Sequence, residues 1–311
     1  MALLSRNADR LYWAARYLER AEDTARLVQE FGELFDDMPT DDEQAGRWAP
    51  LLAVCGDRSL LESTADEREV VRQLVCDPEQ ASSVAACVAS ARANLRTTRE
   101  VLPREAWHTV NDLALFVASD ANRAEDRRFR GHVLGRVAND SRRLDGILTS
   151  SMNRDAAWQM WRIGRYLERA DMTTRVVGVR AAALMAMRAD ANRYDEVQWM
   201  GVLRSLSALQ MYQRSTRGPI EATPVVQFLL FDARFPRSVR FCLDEIDRCL
   251  DELTRPDSVR TAVAEARTAL MSTMASTTDG DDLDQAMDWV QRVIEKVDVA
   301  MTDRYLSIDG G

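Results

Sequence analysis

Histidine and lysine are nearly absent from this sequence of 311 residues, which has two histidines and, in Lys296, a single lysine. His108 completes one Glu-x-x-His pattern with Glu105, but His132 has Phe129 where a second pattern would need Glu. A di-iron carboxylate bundle needs that pattern twice, so we expect no metal site. Because lysine is so rare, almost every cation is an arginine, whose planar guanidinium stays charged and suits carboxylates and phosphates.

Familiar signals of cofactor binding and nucleophilic catalysis are also missing. The sequence contains no GxxxxGK[ST] or GxGxxG phosphate loop, and no GxSxG motif or evident Ser-His-Asp or Cys-His set. We therefore expect no cofactor. The five cysteines show no CxxC spacing, which is typical of small core residues in a reducing compartment.

The sequence also lacks long apolar runs. No stretch approaches the 18 or so residues of a membrane span, and Arg6, Asp9 and Arg10 interrupt the segment where a signal peptide needs apolar residues. A cytoplasmic protein with no membrane partner is expected. The net charge of −9 argues against a general attraction to nucleic acid.

What the sequence does have is helical periodicity. It is 46% hydrophobic, enough for a sizeable core, and its apolar residues recur at helical spacing with almost no strand alternation. This predicts an all-α fold. The predicted long helices are 5–36, 79–101, 103–121, 130–152, 153–189, 236–255, 257–278 and 282–306.

The sequence repeats itself. The segment RYLERAEDTARLV at 16–28 returns as RYLERADMTTRVV at 165–177. The segment 70–87 aligns without a gap with 225–242, sharing Val-Val, Leu, Asp, Ser-Val and Cys. We therefore predict a tandem duplication, 1–152 and 153–311, folded as two helical bundles about a pseudo-two-fold axis, by the logic of an isologous dimer.

The repeated helix carries acids beside an apolar stripe. Glu22 lies at the edge of the stripe one turn after Leu18, and Glu19 and Arg26 are within one turn of it. Asp171 takes the place of Glu22 in the second copy. The binding or pairing candidates on the two copies are Glu19, Arg20, Arg26, Glu168, Arg169 and Arg175.

A second candidate is an arginine stripe formed by Arg92, Arg96 and Arg99 on one helical face. Three aligned guanidinium groups could pair with Glu19 and Glu22 or bind a carboxylate or phosphate. Both stripes border apolar faces that must meet to form a core. We therefore expect the arginine stripe to converge with Glu19, Glu22 and Arg26, and Glu168, Asp171 and Arg175 to form the corresponding set.

Two interpretations of these charges stay open at this point. In one, they are buried ion pairs that fix the register of the helices. In the other, they line a polar pocket in which Glu22 or Asp171 acts as a general base, since burial raises the pKa of a carboxyl group.

Three segments together resemble the alpha-E domain family, namely 7–28, 91–107 and 152–175. The resemblance covers practically the whole chain, and the Glu-Arg motif of the family maps onto Glu19-Arg20 and Glu168-Arg169. It implies an all-helical bacterial cytoplasmic protein. Such proteins are often encoded beside circularly permuted ATP-grasp ligases, transglutaminase-like proteins and a proteasome-like peptidase. One departure is Ala93, where the family resemblance leads us to expect an acidic residue.

These observations lead to three hypotheses about function. The first is a helical partner of an ATP-grasp-type amide ligase that binds the ligase, its peptide substrate or both. The second is a transferase or hydrolase acting on peptide amide bonds. The third is an oligomeric scaffold. Whether the chain forms a homo- or hetero-oligomer stays open.

Overall fold

The computed structural model of the chain describes residues 5–37, 47–56, 60, 63–186, 195–216, 218–276 and 280–307. Within these ranges the chain forms 13 α-helices and no strand, which confirms the all-α prediction. No described helix has both the length and the apolar composition needed to cross a bilayer. The helices are α1 Ser5–Asp37, α2 Ala49–Cys55, α3 Glu67–Val71, α4 Val84–Arg96, α5 Arg104–Asp120, α6 Arg127–Ser151, α7 Ala156–Ala186, α8 Asp195–Ser205, α9 Leu209–Ser215, α10 Ala222–Phe231, α11 Val239–Leu250, α12 Asp257–Ser272 and α13 Gly280–Met301.

Helices α1 and α7, which carry the repeated motif, lie at the centre of the molecule. They pack against each other, and α1 also packs against α4 and α6, whereas α7 packs against α11 and α13. Helix α5 joins α4 to α6 on the outside, and α12 joins α11 to α13 in the same way. The buried apolar side chains form one contiguous core that extends from Ala8 to Leu306. The two central helices therefore share a single hydrophobic core.

Serine caps set the beginning of two helices and correct their predicted boundaries. Helices α4 and α11 begin later than the predicted residues 79 and 236. The hydroxyl oxygen of Ser83 accepts the backbone N–H of Ala86, and that of Ser238 accepts the N–H of Phe241. Such a cap satisfies an N–H group that has no partner within the helix. The predicted helix ends at 189 and 278 lie outside the described residues.

A close approach between the central helices depends on a glycine. Gly164 faces Tyr12 and Ala15 of α1, and a Cβ atom at this position would overlap the Tyr12 carbonyl oxygen and lie 3.2 Å from the Ala15 Cβ. The backbones of α1 and α7 can therefore come this close only where the side chain is a single hydrogen.

We expect Gly164→Ala to destabilise the fold by about 1–3 kcal/mol, because the added methyl group must push two packed helices apart. Gly146→Ala on α6 is the matched control, since nothing lies within 4 Å of a Cβ there. That change should be neutral or stabilising by up to about 1 kcal/mol, as expected for removing glycine from a helix interior. Urea unfolding of both variants measures the difference; equal stabilities would mean that the helices are not held this close.

Candidate functional site

The two copies of the repeated motif meet where α1 and α7 cross, beginning with Glu168 of α7. This side chain is 1% exposed. It accepts hydrogen bonds from the Nε atoms of Arg16 at 2.8 Å and Arg20 at 2.5 Å, both from α1. One acid of α7 thus receives two arginines of the opposite helix.

Glu19 of α1 makes the same contacts in the other direction. It is 2% exposed and accepts hydrogen bonds from the Nε atoms of Arg165 at 3.0 Å and Arg169 at 2.6 Å. A third arginine, Arg237, places Nη2 at 2.8 Å from Glu19. The pairing is reciprocal, because the motif acid of each central helix binds the motif arginines of the other.

The first arginine of each motif also reaches an acid on an outer helix. Arg16 donates to Asp298 of α13 at 2.6 Å, and Arg165 pairs with Asp145 of α6. The Tyr12 hydroxyl donates to Asp298 as well. These contacts connect the central pair to α6 and α13.

The surrounding arginines keep both motif acids ionised. Burial by itself raises the pKa of Glu19, but Arg169, Arg237 and Arg165 outweigh it and hold that pKa well below its usual value. Arg20 and Arg16 likewise overcome the effect of burial and lower the pKa of Glu168. Both groups are fixed counter-ions at neutral pH.

A second charged cluster, next to the first, is formed by Glu22, Asp23, Arg26 and Arg237. Glu22 accepts hydrogen bonds from Arg26 at 2.8 Å and from Arg237 at 3.2 Å. Asp23 binds the same two arginines through Oδ1, with Arg237 at 2.6 Å. Arg142 also donates to Glu22, at 3.0 Å.

This cluster has no equivalent at the aligned positions of the second copy. Met172 stands where the first copy has Asp23, and Ser82 stands where the second has Arg237. Arg26 also anchors the chain near α8, because its Nε donates to the Ser205 carbonyl oxygen at 2.6 Å. The ion pair between Asp23 and Arg237 therefore has no counterpart at the aligned positions, Met172 and Ser82.

The pKa values of the two acids in this cluster are shifted in opposite directions. Burial raises the pKa of Asp23 to about 6, an effect that Arg237 and Arg26 only partly offset; its Oδ2 atom is buried and has no hydrogen-bond partner among the described residues. For Glu22, burial and the neighbouring Glu19 raise the pKa, yet Arg237 and Arg26 outweigh them and the pKa is lowered.

The predicted convergence of the arginine stripe on the acids of α1 was wrong. Arg92 donates to Asn111 of α5 at 3.0 Å, and both Arg92 and Arg99 lie over the ring of Trp107. Arg96 and Arg99 are exposed. The stripe borders the side of α4 that faces α5, so the apolar faces meet without bringing these arginines to Glu19 or Glu22.

Of the predicted set of Glu168, Asp171 and Arg175, the pair Asp171–Arg175 is confirmed and the inclusion of Glu168 was wrong. Asp171 pairs with Arg175 at 2.9 Å within α7, and Arg175 continues to the Gly56 carbonyl oxygen at 3.4 Å. Glu168 turns to α1 instead, where Arg20 is one of its partners. The residues of the two charged clusters that sequence reasoning missed include Arg16, Asp23, Asp145, Arg165, Arg237 and Asp298.

The cysteines are not poised for nucleophilic chemistry. All five are free thiols. Burial raises the pKa of Cys55 and Cys249 to about 11 and that of the other three to about 12. The nucleophilic thiolate form is therefore scarce at neutral pH. Among the described residues, no group of three or more His, Cys, Asp or Glu is placed to hold a metal ion.

An arginine-lined cleft opens along α7 at the edge of the reciprocal pairs. Its volume is about 540 Å³. Trp158, Gln159 and Tyr166 contribute to its wall from α7, and Asp145 and Glu252 are its two lining acids. The arginines that line it are Arg154, Arg162, Arg165, Arg169 and Arg248.

A family model described as a predicted alpha-helical domain with a conserved ER motif, Alpha-E, matches residues 3–306. The chain belongs to the Alpha-E family. In this Alpha-E chain the two Glu-Arg motifs, Glu19-Arg20 and Glu168-Arg169, bind each other at the crossing of α1 and α7. Arg20 donates to Glu168, and Arg169 donates to Glu19.

Curated proteins similar to this Alpha-E chain come from mycobacteria. Uncharacterized proteins of Mycobacterium bovis and Mycobacterium tuberculosis are each 24% identical to it over 264 residues. The alignment covers 78% of this chain and 29% of each relative, so the chain spans less than a third of the length of the curated proteins it matches. No solved structure matches it.

We expect Arg20→Ala to lower the free energy of unfolding by about 3 kcal/mol, because Glu168 is buried and would keep only one of its two arginines. Arg96→Ala, the same change at an exposed arginine of α4, should leave the melting temperature unchanged. Thermal melts of the two variants separate the buried network from the arginine stripe. Equal losses would contradict the assignment.

Asp23 should make part of the stability depend on pH. Its folded pKa, about 6, lies above the ordinary value of 3.8, so the folded state binds this proton more tightly than the unfolded state. The resulting stability is complete below about pH 4 and is lost as pH rises through about 6.

Asp23→Asn has no titrating group at this position. The free energy of unfolding of the variant minus that of the wild-type protein should therefore rise by on the order of 2–3 kcal/mol between about pH 4 and 6. Unfolding titrations of both proteins across this range measure the difference. Because Glu19, Glu22 and Glu168 are present in both, their own titration largely cancels. A difference that does not vary with pH would argue against a raised pKa.

Proposed function

We propose that this Alpha-E chain is a non-catalytic helical partner of an ATP-grasp-type amide ligase system, acting in the cytoplasm and binding the ligase, its peptide substrate or both. The observation that carries the proposal is the use of the motif acids. Glu19 and Glu168 each serve as the counter-ion of arginines on the opposite helix. A motif used in this way holds two helices together, and the protein then works through the surfaces that those helices present.

The contacts of Glu22 favour this function over amide-bond catalysis by the chain itself. A general base that works near neutral pH needs a carboxyl pKa raised toward 7. Glu22 instead binds three arginines, and its pKa is lowered. The other candidate base, Asp171, is paired with Arg175 one turn further along α7.

The proposal includes a tandem duplication with halves 1–152 and 153–311, related by a pseudo-two-fold axis at the α1–α7 crossing. The reciprocal ion pairs support it, because a contact between two equivalent subunits about a two-fold axis contains every pair of contacting residues twice. At the crossing, Gly164 faces Ala15, the residue aligned with it in the other copy. The two halves would be fused subunits that share a core.

Local hydrogen bonds in front of α4 and α11 support the same relationship. The Ser83 hydroxyl donates to the Asp77 carbonyl oxygen at 2.5 Å, and the Ser238 hydroxyl donates to the Asp232 carbonyl oxygen. Four residues after each serine, a cysteine thiol donates to a carbonyl oxygen six residues before it, at 3.5 Å for Cys87 and 3.7 Å for Cys242. The aligned segments thus build the same turn.

The test combines the purified chain with the ATP-grasp-type ligase that the family resemblance leads us to expect beside its gene. We expect the two to co-purify and the yield of amide product to fall several-fold when the chain is omitted, whereas the chain alone should turn over no peptide. A ligase that forms neither a complex nor a chain-dependent product would contradict the proposal.

Asp171→Asn is the control for catalysis by the chain itself. Its partner Arg175 is partly exposed, so the variant should remain folded. An unchanged product yield is expected for a non-catalytic partner. A folded variant that abolishes the yield would favour an enzyme, and tolerance of every charge change would favour a scaffold.

A further inference from the structure

The arginine-lined cleft has a charge opposite to that of the chain as a whole. Five arginines and two acids line it, although the protein carries a net charge of −9. Its volume of about 540 Å³ lies within the range of small-ligand sites, roughly 300–1,000 Å³. A cationic cleft in an acidic protein concentrates anions locally.

Buried acids behind the cleft hold its arginines in place. Glu19 accepts from the Nε atoms of Arg165 and Arg169, and Glu245, 8% exposed, pairs with Arg162 and Arg248. A guanidinium carries five N–H donors, so one or two bonds to an acid leave others to face the cleft. The donors are positioned before any ligand arrives, which lowers the entropy cost of binding.

Gln159 adds a hydrogen-bonding requirement of a different kind. Its residue is 4% exposed, it lines the cleft, and its amide oxygen has no hydrogen-bond partner among the described residues. A buried acceptor without a partner is costly. An N–H donor that a ligand carries to this wall of the cleft would satisfy the oxygen.

Aromatic rings form the remaining wall. The Arg154 guanidinium lies 4.1 Å from the centre of the Trp158 ring, and Arg162 and Arg169 lie 5.5 and 5.8 Å from that of Tyr166. Such cation–π contacts add to the ion pairs that hold these guanidinium groups in place.

The aligned surface of the first copy does not carry these residues. Asp9 stands in place of Trp158, Trp13 in place of Arg162, and Ala93 in place of Arg248. The arginines that join α1 to α7 are matched in both copies, so packing accounts for them. The residues specific to the second copy are left for another role.

We propose that this cleft binds a peptide carboxylate together with the amide N–H next to it. The carboxylate would lie between Arg162 and Arg248, and the N–H would donate to the Gln159 amide oxygen. The carboxylate could belong to an acidic side chain or to a C-terminus. This ligand class deepens the proposed function, on which it rests for the peptide partner, but it is tested on the purified chain alone.

Isothermal titration calorimetry with four probes tests the proposal. The probes are acetyl-Ala-Glu-amide, acetyl-Ala-Ala with a free carboxylate, acetyl-Ala-Gln-amide and inorganic phosphate. We expect at least one carboxylate peptide to bind with a salt-dependent affinity that clearly exceeds those of the neutral peptide and of phosphate. The two carboxylate peptides tell a side chain from a C-terminus. Binding of phosphate alone, equal binding of the neutral peptide, or no binding at millimolar concentration would overturn the proposal.

Two variants assign the contacts. Arg248→Gln removes a guanidinium that is largely exposed and should weaken the peptide about tenfold. Gln159→Leu keeps the volume and the charge, so it should weaken the peptide to a similar extent while leaving the affinity for glutarate, which has no N–H, unchanged. Arg128→Gln, at a distant exposed arginine, is the control.

Thermal melts show whether each variant is folded. Folded variants that bind the peptide as well as the unchanged protein would overturn the assignment. If the cleft variants bind no peptide yet the ligase still depends on the chain, the partnership stands and its peptide is held elsewhere. If the peptide binds but no ligase responds, the cleft stands without the proposed function.

Discussion

The reciprocal ion pairing at the crossing of α1 and α7, in which the buried glutamate of each helix binds arginines of the other, is the interaction on which the rest of the structure depends. Glu19 and Glu168 are almost fully buried, and a buried carboxylate is tolerated only when cations and hydrogen bonds compensate its desolvation. Glu168 finds this compensation on α1, and Glu19 finds it on α7 and in Arg237. The two helices must therefore cross at one register, and Gly164 allows their backbones to come close enough.

Arginine is suited to this arrangement because one guanidinium can serve two acids. Arg16 reaches Glu168 through Nε and Asp298 through Nη1, and Arg165 bridges Glu19 and Asp145. A lysine ammonium is a point charge without this fork geometry. The near absence of lysine thus agrees with a network in which cations bridge helices.

The sequence predicted the helical class and the charged character of the centre, but not the partners. Periodicity locates α1 and α7, and the identical segments around Arg16 and Arg165 mark the positions that later pair. A helical wheel shows only which side chains share a face of one helix, so it suggested pairing within each copy. It also placed the Arg92 stripe at the core, although those side chains face α5. Arg237 gave no signal, because it occupies a position at which the two copies differ.

If the chain arose by the proposed tandem duplication, the reciprocal pairing constrains what its half-length ancestor was. A half-length ancestor would have carried the motif glutamate without the arginines that neutralise it, since those come from the other copy. Such a chain could bury its acid only against a second molecule of itself, so it would have been an obligate homodimer. In that history, joining the two subunits in one polypeptide would have freed each half to change separately. An arginine of one half could then acquire an acid on the other half without a matching pair.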